Sequence, residues 1–189
     1  PYGTLRIEKK SDTGMNLPGA VIKIEHIESG QTWTATTTSA GVAIFDQIPL
    51  GAYRIQEITA PAGWKLDDTV YTATVVAGET TTIPIINEEL PGLRIIKYDR
   101  KNMVAMPNVT FAVYRDGKFL GNFKTDQFGE ILLTNVEPGT YRAFEVDTGD
   151  EGHILDTTPQ EVELHAGDGI KELLFFNDVK PGLRLVKVD

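Results

Sequence analysis

Three polar residues recur at the ends of otherwise apolar strand faces, and together they have the parts for making an amide bond. In TLRIEKK, Leu5, Ile7 and Lys9 share one face of an extended strand, because side chains alternate with a period of two. In YRIQE the shared face is Tyr53, Ile55 and Glu57, and in IPIIN it is Ile83, Ile85 and Asn87. The set is written twice. Leu93, Ile95 and Lys97, then Tyr141, Ala143 and Glu145, then Leu173, Phe175 and Asn177 repeat it. Lys to Glu is 48 residues in both copies, and Glu to Asn is 30 and 32.

Lys and Glu are seldom fully buried unless paired. An isolated charge in a dry interior costs several kcal/mol, so a buried Lys tends towards the neutral amine and a buried Glu towards the acid. A neutral amine is a nucleophile, a carboxyl is a proton shuttle, and an Asn carboxamide between them is an electrophile. The product would be an amide joining the Lys amine to the Asn side-chain carbonyl, with ammonia released. That is single-turnover chemistry driven by proximity and desolvation, not the work of a turnover enzyme. The same residues also suit a buried, hydrogen-bonded Lys–Glu pair capped by Asn, with no covalent bond.

The elements that must position these residues repeat as well. GAYRIQE at 51–57 aligns with GTYRAFE at 139–145, and Gly41 aligns with Gly129, both at an offset of 88. Two modules are therefore expected at 1–89 and 90–179, followed by a linker and first-strand stub of a third repeat at 180–189, where Lys187 repeats the pattern. Short runs rich in Val, Ile, Thr, Tyr and Phe lie between Gly, Pro, Asp and Asn, and no helical period stands out. In the first module they predict strands at 4–10, 20–27, 31–37, 42–47, 51–58, 70–76 and 80–87. The expected fold is all-β: tandem antiparallel β-sandwiches of immunoglobulin-like or prealbumin-like layout. Pro91 stiffens the short joint between modules.

The quoted residues resemble a known family. LRIEKKSDTGMNLPGA, the centre TTTSAGVAIFDQIPLGAYRIQEITAPAGW and the closing IIN are similar to the Cna B-type, or SpaA-like, domains of Gram-positive surface adhesins and pilins. The resemblance implies Lys9–Asn87 and Lys97–Asn177 isopeptide crosslinks promoted by Glu57 and Glu145. The second module departs from the pattern after its Glu, reading EVDTGDEGHILD where the first reads EITAPAGWKLD. The implied role is a stalk or spacer repeat of a cell-wall-anchored extracellular protein. The implied partners are adjacent repeats of the same polypeptide, with host matrix or glycan reached through other domains. A ligand-binding module and an accessory domain of a secreted enzyme are the alternatives.

Composition narrows the field further. The net charge is −9, with 6 Lys/Arg against 11 Asp/Glu in residues 1–89 and 12 against 16 in the rest. An acidic surface without a basic stripe argues against nucleic acid and anionic membranes. There is no cysteine, so disulfides and thiolate metal sites are excluded. No apolar run is long enough to span a bilayer, and any targeting segments are expected outside this chain. No cofactor or metal is expected. Asp147, Asp150, Glu151 and His153 cluster in a predicted loop but lack EF-hand spacing, which favours a solvated loop. Trp33 and Trp64 suit a packing role better than a carbohydrate-binding face.

Overall fold

Fourteen strands and no helix are found among the described residues, which in this computed structural model are 1–187. Val188 and Asp189, the end of the expected third-repeat stub, lie outside the described residues. Pro1–Glu89 form one unit and the residues from Leu90 onward a second.

In the first unit the strands are β1 (Tyr2–Ser11), β2 (Val21–His26), β3 (Thr32–Thr36), β4 (Val42–Pro49), β5 (Gly51–Thr59), β6 (Tyr71–Val75) and β7 (Thr80–Asn87). Each lies within two residues of its sequence expectation. They form a three-stranded sheet, β4-β1-β7, and a four-stranded sheet, β3-β2-β5-β6. The second unit repeats this with β8 (Gly92–Asp99), β9 (Thr110–Arg115), β10 (Lys118–Lys124), β11 (Glu130–Leu133), β12 (Gly139–Asp147), β13 (Gln160–Leu164) and β14 (Ile170–Asn177). Its sheets are β11-β8-β14 and β10-β9-β12-β13.

The all-β sandwich is as the sequence predicts, with one departure from antiparallel pairing. β1 pairs with β7 in parallel, and so does β8 with β14. The direction matters for the site. Lys9 and Asn87 each stand near the C-terminal end of a strand, and adjacent strands bring such ends together only when they run parallel. Hairpin signals report adjacency, and these strands are joined by no hairpin.

Alternation sets the core. Leu5, Ile7, Ile22, Ile24, Tyr53, Ile55 and Ile85 form the centre of one cluster, and Leu93, Ile95, Phe111, Val113, Tyr141 and Phe175 that of the other. The buried tyrosines satisfy their hydroxyls locally: Tyr53 donates to the Pro49 carbonyl at 2.8 Å and Tyr141 to the Glu137 carbonyl at 2.7 Å. Residues 181–187 form no strand, and Leu183 and Leu185 are 85% and 86% exposed.

The aligned glycines hold the lysine backbones. Lys9 N–H donates to the Gly41 carbonyl at 2.7 Å, and the Lys9 carbonyl accepts from Leu17 N–H at 2.9 Å. Lys97 is held in the same way by Gly129 and Met106, at 2.9 and 3.0 Å. Gly41 and Gly129 have φ of 71° and 73°. A Cβ on Gly41 would stand 2.5 Å from the Lys9 carbonyl oxygen, and one on Gly129 would stand 2.7 Å from that of Lys97. No larger residue fits either turn without a shift.

Candidate functional site

Register places the amine beside the carboxamide. In the β1–β7 ladder Lys9 faces Ile85 and Ser11 faces Asn87. Asn87 is therefore one diagonal step from Lys9 on the same face, within reach of a four-carbon stem. The β8–β14 ladder has the same offset, with Lys97 facing Phe175 and Asp99 facing Asn177. The acid comes from the opposite sheet, on β5 for Glu57 and β12 for Glu145.

In the first module Lys9, Glu57 and Asn87 are 0%, 5% and 1% exposed. Lys9 Nζ donates to Asn87 Oδ1 and, at 3.2 Å, to the Ile85 carbonyl. It stands 3.6 Å from Glu57 Oε1. Asn87 Nδ2 donates to both Glu57 oxygens at 3.0 Å. Glu57 Oε2 also accepts the backbone N–H of Asp67 at 2.9 Å. In the second module Lys97 Nζ donates to Asn177 Oδ1 at 2.5 Å and stands 2.8 Å from Glu145 Oε2, while Asn177 Nδ2 donates to Glu145 Oε1 at 2.7 Å. Burial pushes both lysine amines below their usual range, and the neighbouring carboxylate only partly restores them. All six residues singled out by spacing thus meet in two buried triads.

The loops after the two acids differ in sequence yet run alike. Trp64 bridges Glu89 in one module and His153 bridges Val179 in the other. Lys65 N–H donates to the Glu88 carbonyl, and Ile154 N–H to that of Asp178, each at 2.9 Å. Trp33 packs on Tyr53, 6.0 Å between rings.

The loop is exposed at Asp147, Asp150 and Glu151, and within it His153 is half-buried in a charge clasp. Its Nε2 is 3.2 Å from Asp99 Oδ2 and its Nδ1 is 2.8 Å from Asp150 Oδ2. Burial lowers the imidazole pKa, but the two carboxylates together outweigh it and the net shift is upward. Among the described residues no group of three His, Cys, Asp or Glu side chains is arranged to hold a metal. Sequence reading missed Asp99, because its partner lies 54 residues away. It also missed Asp67, which acts through its backbone N–H, a group every residue but proline carries.

The sequence signature of the SpaA prealbumin-like fold domain matches residues 3–89 and 91–178. The chain belongs to that family. Among solved structures, the Bacillus anthracis TIE protein is 28% identical with a TM-score of 0.51, covering 94% of this chain and 34% of that one. A Streptococcal ancillary pilin is 18% identical with a TM-score of 0.54, covering 95% and 63%. The shaft pilin SpaA of Lactobacillus rhamnosus GG is 13% identical with a TM-score of 0.58, covering 97% and 100%. The last two show the shared fold. The chain spans about a third of the TIE protein structure and under two thirds of the ancillary pilin. No curated protein matches the chain. Two SpaA-type modules in tandem, each with a buried Lys–Glu–Asn set, are what the chain contributes to any larger protein.

Proposed function

We propose that this chain is a stalk or spacer segment of a Gram-positive cell-surface or pilus-like protein, and that each SpaA-type module is closed by an intramolecular isopeptide bond. The observation that carries the reading is the buried triad, built twice on the same strands with the same register.

In the first module the reaction begins with transfer of a proton from Lys9 Nζ to Glu57, which leaves a neutral amine and a neutral acid. Nζ then attacks Cγ of Asn87. The carboxyl passes its proton to the departing Nδ2 and takes a second proton from the attacking Nζ, the Cγ–Nδ2 bond breaks, and ammonia leaves with the carboxyl protonated. Lys97, Glu145 and Asn177 follow the same course. Atoms balance without oxidant, cofactor or external acid, and burial removes the water that would hold the amine protonated. The scheme is single-turnover, so the chain is not a turnover enzyme.

The expected partners are neighbouring repeats of the same polypeptide, with residues 180–189 as the linker and opening sequence of a third repeat. On this reading the protein is displayed at the cell surface, and contacts with host matrix or glycan are made by other domains. Peptide mapping tests the chemistry. A protease digest should yield one branched peptide joining Lys9 to Asn87 and another joining Lys97 to Asn177. Unbranched peptides alone would overturn the reading.

A second reading, ligand binding, is favoured by one observation. On the outer face of the second module Tyr114, Phe119 and Phe144 cluster at 5.2 and 5.8 Å, with Arg142 over Phe144. The register puts Glu25, Thr32 and Gln56 at those places in the first module. A glycan array on the chain separates the readings, since a spacer binds nothing on it.

A further inference from the structure

The two triads differ in how their acid is held, and the difference traces to one tyrosine. In the first module Asp67 N–H reaches Glu57 Oε2 at 2.9 Å. The Asp67 carboxylate is itself fixed, Oδ1 by Thr69 N–H at 3.0 Å and Oδ2 by the Tyr71 hydroxyl at 2.6 Å. Tyr71 opens β6 opposite Ile55 and packs against the core cluster, so its ring is anchored. Burial, then the bond to Asp67, pushes its hydroxyl up to about 12, so it stays a donor over the working pH range. Oε2 accepts from the loop and from Asn87 Nδ2 at 3.0 Å, and Oε1 faces both Lys9 Nζ at 3.6 Å and Asn87 Nδ2 at 3.0 Å.

The second module keeps most of this loop. Asp156 stands where Asp67 does, and its Oδ1 accepts Thr158 N–H at 2.9 Å, as Asp67 does from Thr69. The tyrosine is absent. Gln160 stands opposite Ala143, as Tyr71 does opposite Ile55, and its amide donates to the Leu174 carbonyl at 2.6 Å. Among the described residues Glu145 Oε2 receives no hydrogen bond of good geometry, although Lys97 Nζ is 2.8 Å away. The amine and the carboxamide there face different oxygens of the acid.

We propose that Tyr71 and Asp67 form a positioning strap that aligns Glu57, so that one carboxyl oxygen serves both the attacking and the leaving nitrogen and the first module crosslinks faster than the second. The inference rests on the bond-forming reading above. Neither residue touches the reacting atoms with its side chain; Tyr71 acts through Asp67, and Asp67 through its N–H. An acid held in place needs no rotation between taking up the proton and giving it away, which is where pre-organisation gains rate.

The test follows bond formation in the full chain made by chemical synthesis and kept in denaturant so that it has never folded, then diluted to fold and quenched in acid at intervals. The two branched peptides are counted by mass spectrometry. In the wild type the Lys9–Asn87 peptide should form first. Tyr71→Phe should slow it by about tenfold and leave the Lys97–Asn177 peptide unchanged. Gln160→Tyr places the hydroxyl opposite Asp156 and should speed the second module, a gain that a tyrosine serving only to stabilise the first module would not give. Equal rates in Tyr71→Phe and wild type, or equal slowing of both modules, would overturn the strap while leaving the bond-forming reading standing. Absence of both branched peptides in the wild type would sink that reading and the strap with it.

Discussion

A lysine with no exposed surface is a costly residue, and each module keeps one. Lys9 and Lys97 are 0% exposed beside a buried acid and a buried carboxamide. Replacing such a set with apolar residues is often harmless to stability, whereas removing one member strands a charge at a cost of about 3–5 kcal/mol. Glu57→Ala should therefore do two things. The Lys9–Asn87 bond should fail to form while the second bond still forms, so the chain loses one ammonia instead of two, and the first module should melt earlier. Loss of both ammonias would show that Glu57 has no part in the reaction. At this scale the sequence was informative wherever the signal was a period of two: Lys9, Glu57 and Asn87 announce themselves by following apolar neighbours on one face. Contacts made by a backbone N–H, such as Asp67 to Glu57, leave no mark in residue types.

The strands and turns convert that pattern into geometry, and two tests belong to them. The Gly41 turn carries Lys9 on its carbonyl, and an added methyl would meet the Lys9 oxygen at 2.5 Å. Gly14 also has a positive φ, of 90°, but a methyl there meets nothing within 4 Å. Gly41→Ala should cost about 1–3 kcal/mol more than Gly14→Ala in denaturant unfolding, with crosslinking slowed in the first alone. In the second module the clasp of Asp99, His153 and Asp150 ties the β12–β13 loop to the end of β8. Its histidine is raised above 6.5 in the folded chain. The clasp therefore stabilises fully below about pH 6.5 and weakens as pH rises through the folded value. Asp99 is lowered from 3.8, first by its bond from His153, so its share is present above that value and lost as pH falls through the lower one. His153→Gln should flatten the fall in second-module stability above neutral pH, read as melting temperature against pH. An unchanged slope would remove the clasp from the account. The strands themselves were legible from alternation and turn residues. Their parallel closure was not, because β1 and β7 meet through tertiary packing across the whole module.

Over the whole molecule the two bonds would define the path that force takes. Lys9 sits near the end of the first strand and Asn87 at the end of the last, so the crosslink closes a loop of almost an entire module. Closing about 80 residues restricts the unfolded chain by about 4.5 kcal/mol if an isopeptide behaves as a disulfide does. Asn87 and Lys97 are only ten positions apart in the chain. Load would then pass from β1 through the first bond, along the joint and into the second, leaving both sandwiches unstretched. Pulled from its ends, the wild type should show no module unfolding, and Lys97→Ala should add a single extension step from the second module. The tandem plan was legible because sequence offsets recur at 88 to 90 residues. The central claim, that both triads have reacted, is tested most directly by the intact mass of the denatured chain. The account predicts a mass below that of the sequence by two molecules of ammonia. A mass equal to that of the sequence would contradict it.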